Sequence, residues 1–336
     1  MTAAPIPAFT PQQIELGIRL EGIFMPHARK QRDALYADEP NNLAPRFVHY
    51  TSAQNALSII RTKRLWMRNA TCMTDYREVQ HGFDILAKFF SDKLRLNAFT
   101  SALDQCANGA AMEAVNAFNT WWNDIRSYTY ISSISEHVAK EDFHGRLSMW
   151  RAFGSNVAQV ALVFRIPKFS GGAAALNLMF SPVAYLTEAE VHNVIADVIQ
   201  NIKTNADFLR TVDRQVIINT VFATLLAGVT CLKHEGFGEE REWRAIYSPN
   251  RSPSNLMESS TEVLAGVPQI IHKIPLDAAV SPMLADLDVA AMFDRLIIGP
   301  SPYPLAMYEA FKIALSAAGV ADAGNKIFAS LIPIRT

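Results

Sequence analysis

Cysteine is scarce in this chain of 336 residues: Cys72, Cys106 and Cys231 are odd in number and far apart. No C-x-x-C or Cys/His spacing joins them, which argues against a disulfide framework and against a zinc site. Charge of one sign is not in excess either. Lys plus Arg number 31 and Asp plus Glu 32, for a formal net charge of −1. That balance carries no global electrostatic footprint for nucleic acid or an anionic membrane, although it leaves room for a local basic groove. Long hydrophobic runs are missing too. The most apolar window, Val216–Leu232, spans 17 residues and is interrupted by Asn219, Thr220, Thr224 and Thr230. It sits at the short limit for crossing a bilayer and reads as a buried helix, with no membrane partner. The N-terminal stretch MTAAPIPAFT has neither the basic patch nor the apolar run of a signal peptide. The expectation is a soluble protein of a reducing, cytoplasmic compartment.

Common catalytic signatures are also absent. There is no H-E-x-x-H, no G-x-S-x-G and no G-x-x-x-x-G-K-[ST]. GFGEE at 236–240 is a lone Gly-x-Gly with no helix after it, and the eight histidines do not pair at metal-ligand spacing. No metal is expected.

What is present is a globular composition, half hydrophobic and about a fifth charged. Residues 11–37 carry helical periodicity through Ile14, Ile18, Ile23 and Phe24, followed by the polar link ADEPNNLAP. This predicts an N-terminal helical arm over 1–45 and a main domain over 46–336. In that domain Phe47–Thr51 reads as a strand and Ser52–Lys63 as a helix. Helical spacing returns over 75–127 and 187–230, which are expected as insertions. Thr187 with Glu190 forms a capping box at the start of the second. Stretches rich in β-branched and aromatic residues, such as YTYISSIS, QVALVFRI, REWRAIYS, IIHKIPL and RLIIG, read as strands. A loose series of strands interrupted by helices predicts an α+β fold.

Three places are costly to build without a reason. In His49-Tyr50-Thr51, alternation sends His49 and Thr51 to one face and Tyr50 to the other; a core histidine bonded to backbone explains the ring equally well. LSMWRAFGSN places Trp150 and Arg151 just before a strand, where an aromatic corner is the plainer account. In GEEREWR, a strand starting at Glu240 projects Glu240, Glu242 and Arg244 from one face. An exposed edge strand with a charge ladder is the simpler explanation of that stretch taken alone.

In order, the chain carries H-Y-T at 49–51, T-D-Y-R-E at 74–78, Ser132-Ser133, M-W-R-A-F at 149–153, E-R-E-W-R at 240–244 and I-I-G-P at 297–300. This series resembles a bacterial domain-of-unknown-function family with H-Y-T, N-D-P-x-E, M-W-x-x-Y and E-x-E-[YW]-R motifs. It departs from that pattern at Thr74, Tyr76 and Phe153. More distantly, the H-x-T strand and the helix after it resemble ADP-ribosyltransferases. That likeness implies a split mixed/antiparallel sheet with large helical insertions, and NAD as a substrate. It assigns Glu242 to the ribose and Glu240 to the acceptor nucleophile. His49, Tyr50, Thr51, Trp66, Arg68, Ser133, Trp150, Arg151 and Arg244 become candidate NAD contacts, with the aromatic rings stacking and Arg68 or Arg151 at the pyrophosphate. The implied activity is transfer of ADP-ribose to a nucleic acid or protein, as in a toxin or phage-defence effector. An antitoxin or a second copy of the chain is the implied partner. Two alternatives are a non-catalytic nucleotide- or nucleic-acid-binding module and an interaction subunit of a defence or toxin–antitoxin system.

Overall fold

Pro26 divides the first helical stretch. Lacking an N–H, it cannot continue the ladder, so α1 (Pro11–Phe24) stops at Met25 and α2 (Pro26–Ala37) begins anew. Thr10 and Gln13 cap α1 reciprocally. The computed structural model describes residues 10–37, 43–73, 76–152, 158–264 and 266–333. The expectations placed on Thr74, Asp75 and Phe153 lie outside these described residues.

The main body begins with β1 (Arg46–Ser52), α3 (Ala53–Thr62) and β2 (Arg64–Asn69). The first insertion contributes α4 (Tyr76–Ser91), α5 (Lys93–Asp104) and α6 (Ala110–Tyr128). Next come β3 (Tyr130–His137), α7 (Leu147–Ala152), β4 (Gln159–Arg165), α8 (Gly171–Ala175), β5 (Met179–Pro182) and β6 (Ala184–Tyr185). The second insertion holds α9 (Glu188–Thr204), α10 (Ala206–Leu209) and α11 (Arg214–Thr230). The chain then forms β7 (Leu232–Lys233), β8 (Glu242–Tyr247), β9 (Glu258–Leu264), β10 (Val267–Pro275), α12 (Val289–Met292), β11 (Phe293–Ile298), α13 (Pro304–Ala317) and β12 (Ile327–Ala329). The fold is α+β with a mixed sheet.

The order across that sheet is β12-β11-β4-β1-β3-β2-β10-β9, and β8 pairs with both β3 and β5. β12 runs parallel to β11, and the other pairings are antiparallel. A short parallel pair, β6 with β7, stands apart.

Strand β3 is the branch point. β8 bonds along one of its edges from Tyr130 to Ser135. The other edge is divided between two strands. β1 takes Ser135–His137 and β2 takes Tyr130 and Ile131. β1 and β2 therefore part opposite Ser132, Ser133 and Ile134, and the sheet is split there.

The two insertions pack together around one apolar core, in which Phe118 of α6 meets Phe222 of α11. Leu20, Ile23 and Phe24 of α1 belong to the same core. From α2, Arg32 Nη2 donates to the Phe180 carbonyl (2.7 Å) and Tyr36 donates to the Ile166 carbonyl (3.1 Å). The N-terminal helices thus strap the helical bundle to the sheet. Gly82 permits the close approach of α4 to α11, since a Cβ there would lie 2.8 Å from the Gly228 carbonyl oxygen. The apolar window read from the sequence is α11, with Ile217, Val221, Leu225 and Val229 buried. Among the described residues, no helix is long and apolar enough to cross a membrane.

Candidate functional site

His49 is the first residue of β1 beyond its last pairing with β3, Val48 opposite Ser135. Its ring fills the opening, with Nδ1 3.2 Å from the Ser133 carbonyl. A carbonyl only accepts, so Nδ1 carries the proton and donates. This satisfies a backbone acceptor that the split strips of a strand partner. Burial pushes the histidine below its ordinary pKa, against the raising effect of that bond. The ring is therefore neutral near pH 7, and Nε2 presents a lone pair.

Alternation places the facing groups. Partners directly opposite in an antiparallel pair share a face, so Ser133 with Arg244 and Ser135 with Glu242 lie on one side of the sheet. Ile134 with Trp243 and Ser132 with Ala245 lie on the other. His49 belongs by alternation to the second side, and the split lets it border the cleft on the first.

The carboxylates arrive differently from the expected strand. β8 begins at Glu242, after a 3-10 turn over Glu235–Glu240 closed by Arg241 at φ 45°. Glu242 and Arg244 share a strand face, whereas Glu240 reaches in from the turn. They meet on Lys233, whose Nζ lies 2.8 Å from Glu240 Oε2 and 3.4 Å from Glu242 Oε2. Arg244 grips Glu242 with Nε on Oε1 (2.8 Å) and Nη2 on Oε2 (3.1 Å), and its Nη1 donates to the Thr230 carbonyl (2.6 Å). Burial pushes the Glu242 carboxyl up, but Arg244, Lys233 and the nearby Ser133 hydroxyl together bring it below the usual range. Ser133 Oγ itself makes no hydrogen bond of ordinary length. Glu242 is therefore a buried, ionised carboxylate, its side chain 8% exposed against 32% for Glu240. β8 is bonded on both sides, so an edge-strand charge ladder does not account for it.

A cleft of about 610 Å³ opens at the split. His49, Tyr50, Thr51, Trp66, Arg68, Ser133, Glu240 and Glu242 all line it. The Tyr50 oxygen accepts from the Arg146 backbone N–H (2.8 Å), and burial pushes its pKa up to about 12, so it remains a phenol. Trp66 stands in the wall with Lys273 Nζ 5.3 Å from its ring centre. Arg68 donates to the Cys72 carbonyl (2.6 Å), its Nε has no acceptor, and no carboxylate among the described residues pairs with it.

Three candidates lie elsewhere. Trp150 is buried against Tyr50, ring centres 4.8 Å apart, and its indole N–H donates to the His144 carbonyl. Only 5% exposed and with its donor committed, it does not line the cleft and cannot stack on a ligand there. Arg151 is exposed near the end of α7 and does not line the cleft. Arg244 is 1% exposed behind Glu242 and holds that carboxylate rather than a ligand.

Sequence reasoning missed Lys233 and Arg146. Lys233 is 3% exposed and lines the cleft, yet it sits on a two-residue strand too short to show a pattern. Arg146 is buried and spans several elements. Its Nε donates to Glu141 (3.1 Å), Nη1 to the Glu239 and Glu240 carbonyls (2.8 and 2.9 Å) and Nη2 to the Glu136 carbonyl (2.8 Å). It clamps the turn that presents Glu240 to the end of β3. Nothing local in the sequence signals that role.

Residues 149–245 match the model of a family described as "Protein of unknown function (DUF2971)". The matched stretch runs from α7 to β8 and includes Lys233, Glu240, Glu242 and Arg244. No curated protein and no solved structure matches the chain.

Proposed function

We propose that the cleft binds NAD and transfers its ADP-ribosyl group to a nucleophile on a nucleic acid or protein. What supports the reading is the junction at the split. There, a buried ionised carboxylate, a neutral imidazole and a guanidinium that pairs with no carboxylate among the described residues border one cleft. Its volume is that of an ordinary small-molecule site. Trp150 packs away from it, leaving the space open.

In the proposed reaction the C1′–N bond breaks and nicotinamide leaves with the electron pair. The sugar passes through an oxocarbenium-like centre, as in glycoside cleavage. Glu242 Oε1, which receives Arg244 Nε, accepts from a ribose hydroxyl and stabilises the developing positive charge. The acceptor bonds to C1′ and passes its proton to Glu240, the more exposed carboxylate. His49 Nε2 accepts from a ligand N–H or O–H, Arg68 pairs with the pyrophosphate, and Trp66 flanks a ring.

The test is nicotinamide release and label transfer from biotinylated NAD to cell lysate, with wild type and Glu242→Ala. The reading predicts both activities in wild type and neither in the variant. Wild type that NAD neither stabilises nor labels through sinks it. A second reading, nucleotide binding without chemistry, is favoured by the two cations that already compensate Glu242. It predicts NAD-dependent stabilisation without nicotinamide release.

A further inference from the structure

The split has a second mouth. On the face opposite Glu242, a separate chamber of about 350 Å³ lies beneath α1 and α2. His49, Leu65, Ser132 and Ile134 line both this chamber and the cleft, so the two spaces adjoin at the slot in the sheet. The chamber walls are mainly aliphatic and aromatic, Ile18 and Phe180 among them.

Its charged groups are already compensated. Arg32 Nε lies 3.0 Å from Glu21 Oε1 and Nη2 donates to the Phe180 carbonyl. Lys168 Nζ lies 2.7 Å from Asp33. An anionic or cationic ligand would find no opposite charge to replace its hydration, and burying such an ion unpaired is strongly unfavourable. A neutral apolar group faces no such penalty, and apolar cavities of only about 150 Å³ stay dry and take up small apolar ligands. Among the polar groups of the wall, His49 Nε2 has a lone pair to offer, because Nδ1 is spent on the Ser133 carbonyl.

We propose that this chamber is a second ligand site, which takes a neutral, mainly apolar group carrying one hydrogen-bond donor for His49 Nε2. The site does not require turnover of NAD; because the same Nε2 is offered to the cleft, a chamber ligand and a cleft ligand compete for that one lone pair.

Titration calorimetry with straight-chain 1-alkanols from butanol to nonanol tests it, with octanoate and octylammonium as charged comparisons. One alkanol should bind per chain, tightening about four-fold per added methylene until the chamber is full. Both charged congeners should bind at least about ten-fold more weakly than octanol. Ile18→Trp and Ala174→Trp, each at a wall position, should abolish alkanol binding with the circular dichroism spectrum unchanged. If either variant fails to fold, the other decides. Absence of saturable binding, equal affinity for the charged congeners, or full alkanol affinity in a folded tryptophan variant overturns the proposal. None of these readouts depends on NAD, so failure here and failure of the transferase reading are distinguishable.

Discussion

Replacing Arg244 by Met removes the guanidinium that holds both oxygens of Glu242 and strips the Thr230 carbonyl of its donor. Lys233, 3.4 Å from Glu242 and already engaged by Glu240, is the cation left to balance the buried carboxylate. Breaking a buried pair from one side costs about 3–5 kcal/mol. Unfolding entropy of about 2.1 cal/mol/K per residue gives roughly 0.7 kcal/mol/K for a chain of 336 residues. The melting temperature at pH 7 should therefore fall by about 4–7 °C by differential scanning calorimetry. Glu242→Leu should fall similarly, because it removes the carboxylate that the buried Arg244 guanidinium grips with two of its nitrogens. The double variant Glu242→Leu/Arg244→Met removes both charges and should melt higher than either single variant. The pH dependence follows from the sign of the shift. A carboxylate pKa lowered on folding contributes stability that is present above its unfolded value and lost as pH falls through the folded one. The gap between wild type and Arg244→Met should accordingly narrow in strong acid. A double-variant shift equal to the sum of the single shifts, or an Arg244→Met shift under about 1 °C, refutes the argument.

Other consequences are open to direct measurement. Arg68→Ala should weaken binding of ADP-ribose by about ten- to a hundred-fold by calorimetry, the worth of a charge-assisted hydrogen bond; unchanged affinity removes Arg68 from the phosphate role. Because burial lowers the His49 pKa, the stability tied to its neutral form is full above about pH 6.5 and declines as pH falls from there. His49→Gln should flatten the denaturation midpoint between pH 5 and 6.5, and an unaltered slope contradicts this. Gly82→Ala would favour an isolated helix by about 1 kcal/mol, but the 2.8 Å approach to the Gly228 carbonyl oxygen should make it net destabilising by about 1–3 kcal/mol. A raised melting temperature would show that the two helices can separate without cost. Arg146→Lys keeps the charge but loses the fork that reaches Glu136, Glu239 and Glu240 together. It should reduce kcat of any activity at the cleft more than it alters the folded far-UV spectrum, and unchanged turnover argues against a positioning role.

Some of this protein is written locally. The capping box at Thr187 and Glu190 starts α9 because both partners lie within one turn. The alternation in β1 divides His49 from Tyr50, and Tyr50 duly packs with Trp150 away from the imidazole's side. The apolar window after Val216 became α11 because its residues are apolar on every side, as a helix buried in a bundle requires. The α+β class likewise follows from periods of about 3.6 and 2 along the chain.

The site was only partly legible, for a physical reason. Composition and spacing report what a side chain is and which face of its own element it occupies. They do not report where a neighbouring strand lets go. The cleft exists because β1 and β2 part along β3, leaving Ser132–Ile134 without a strand on that edge, and pairing between distant segments decides that. The same long-range geometry turned Trp150 into a wall of the core and withdrew Arg244 behind Glu242. It also brought Lys233 and Arg146, silent in the sequence, onto the two glutamates and the turn between them. Residue type and alternation set which groups were able to do chemistry; the partition of one strand edge decided which of them face one another.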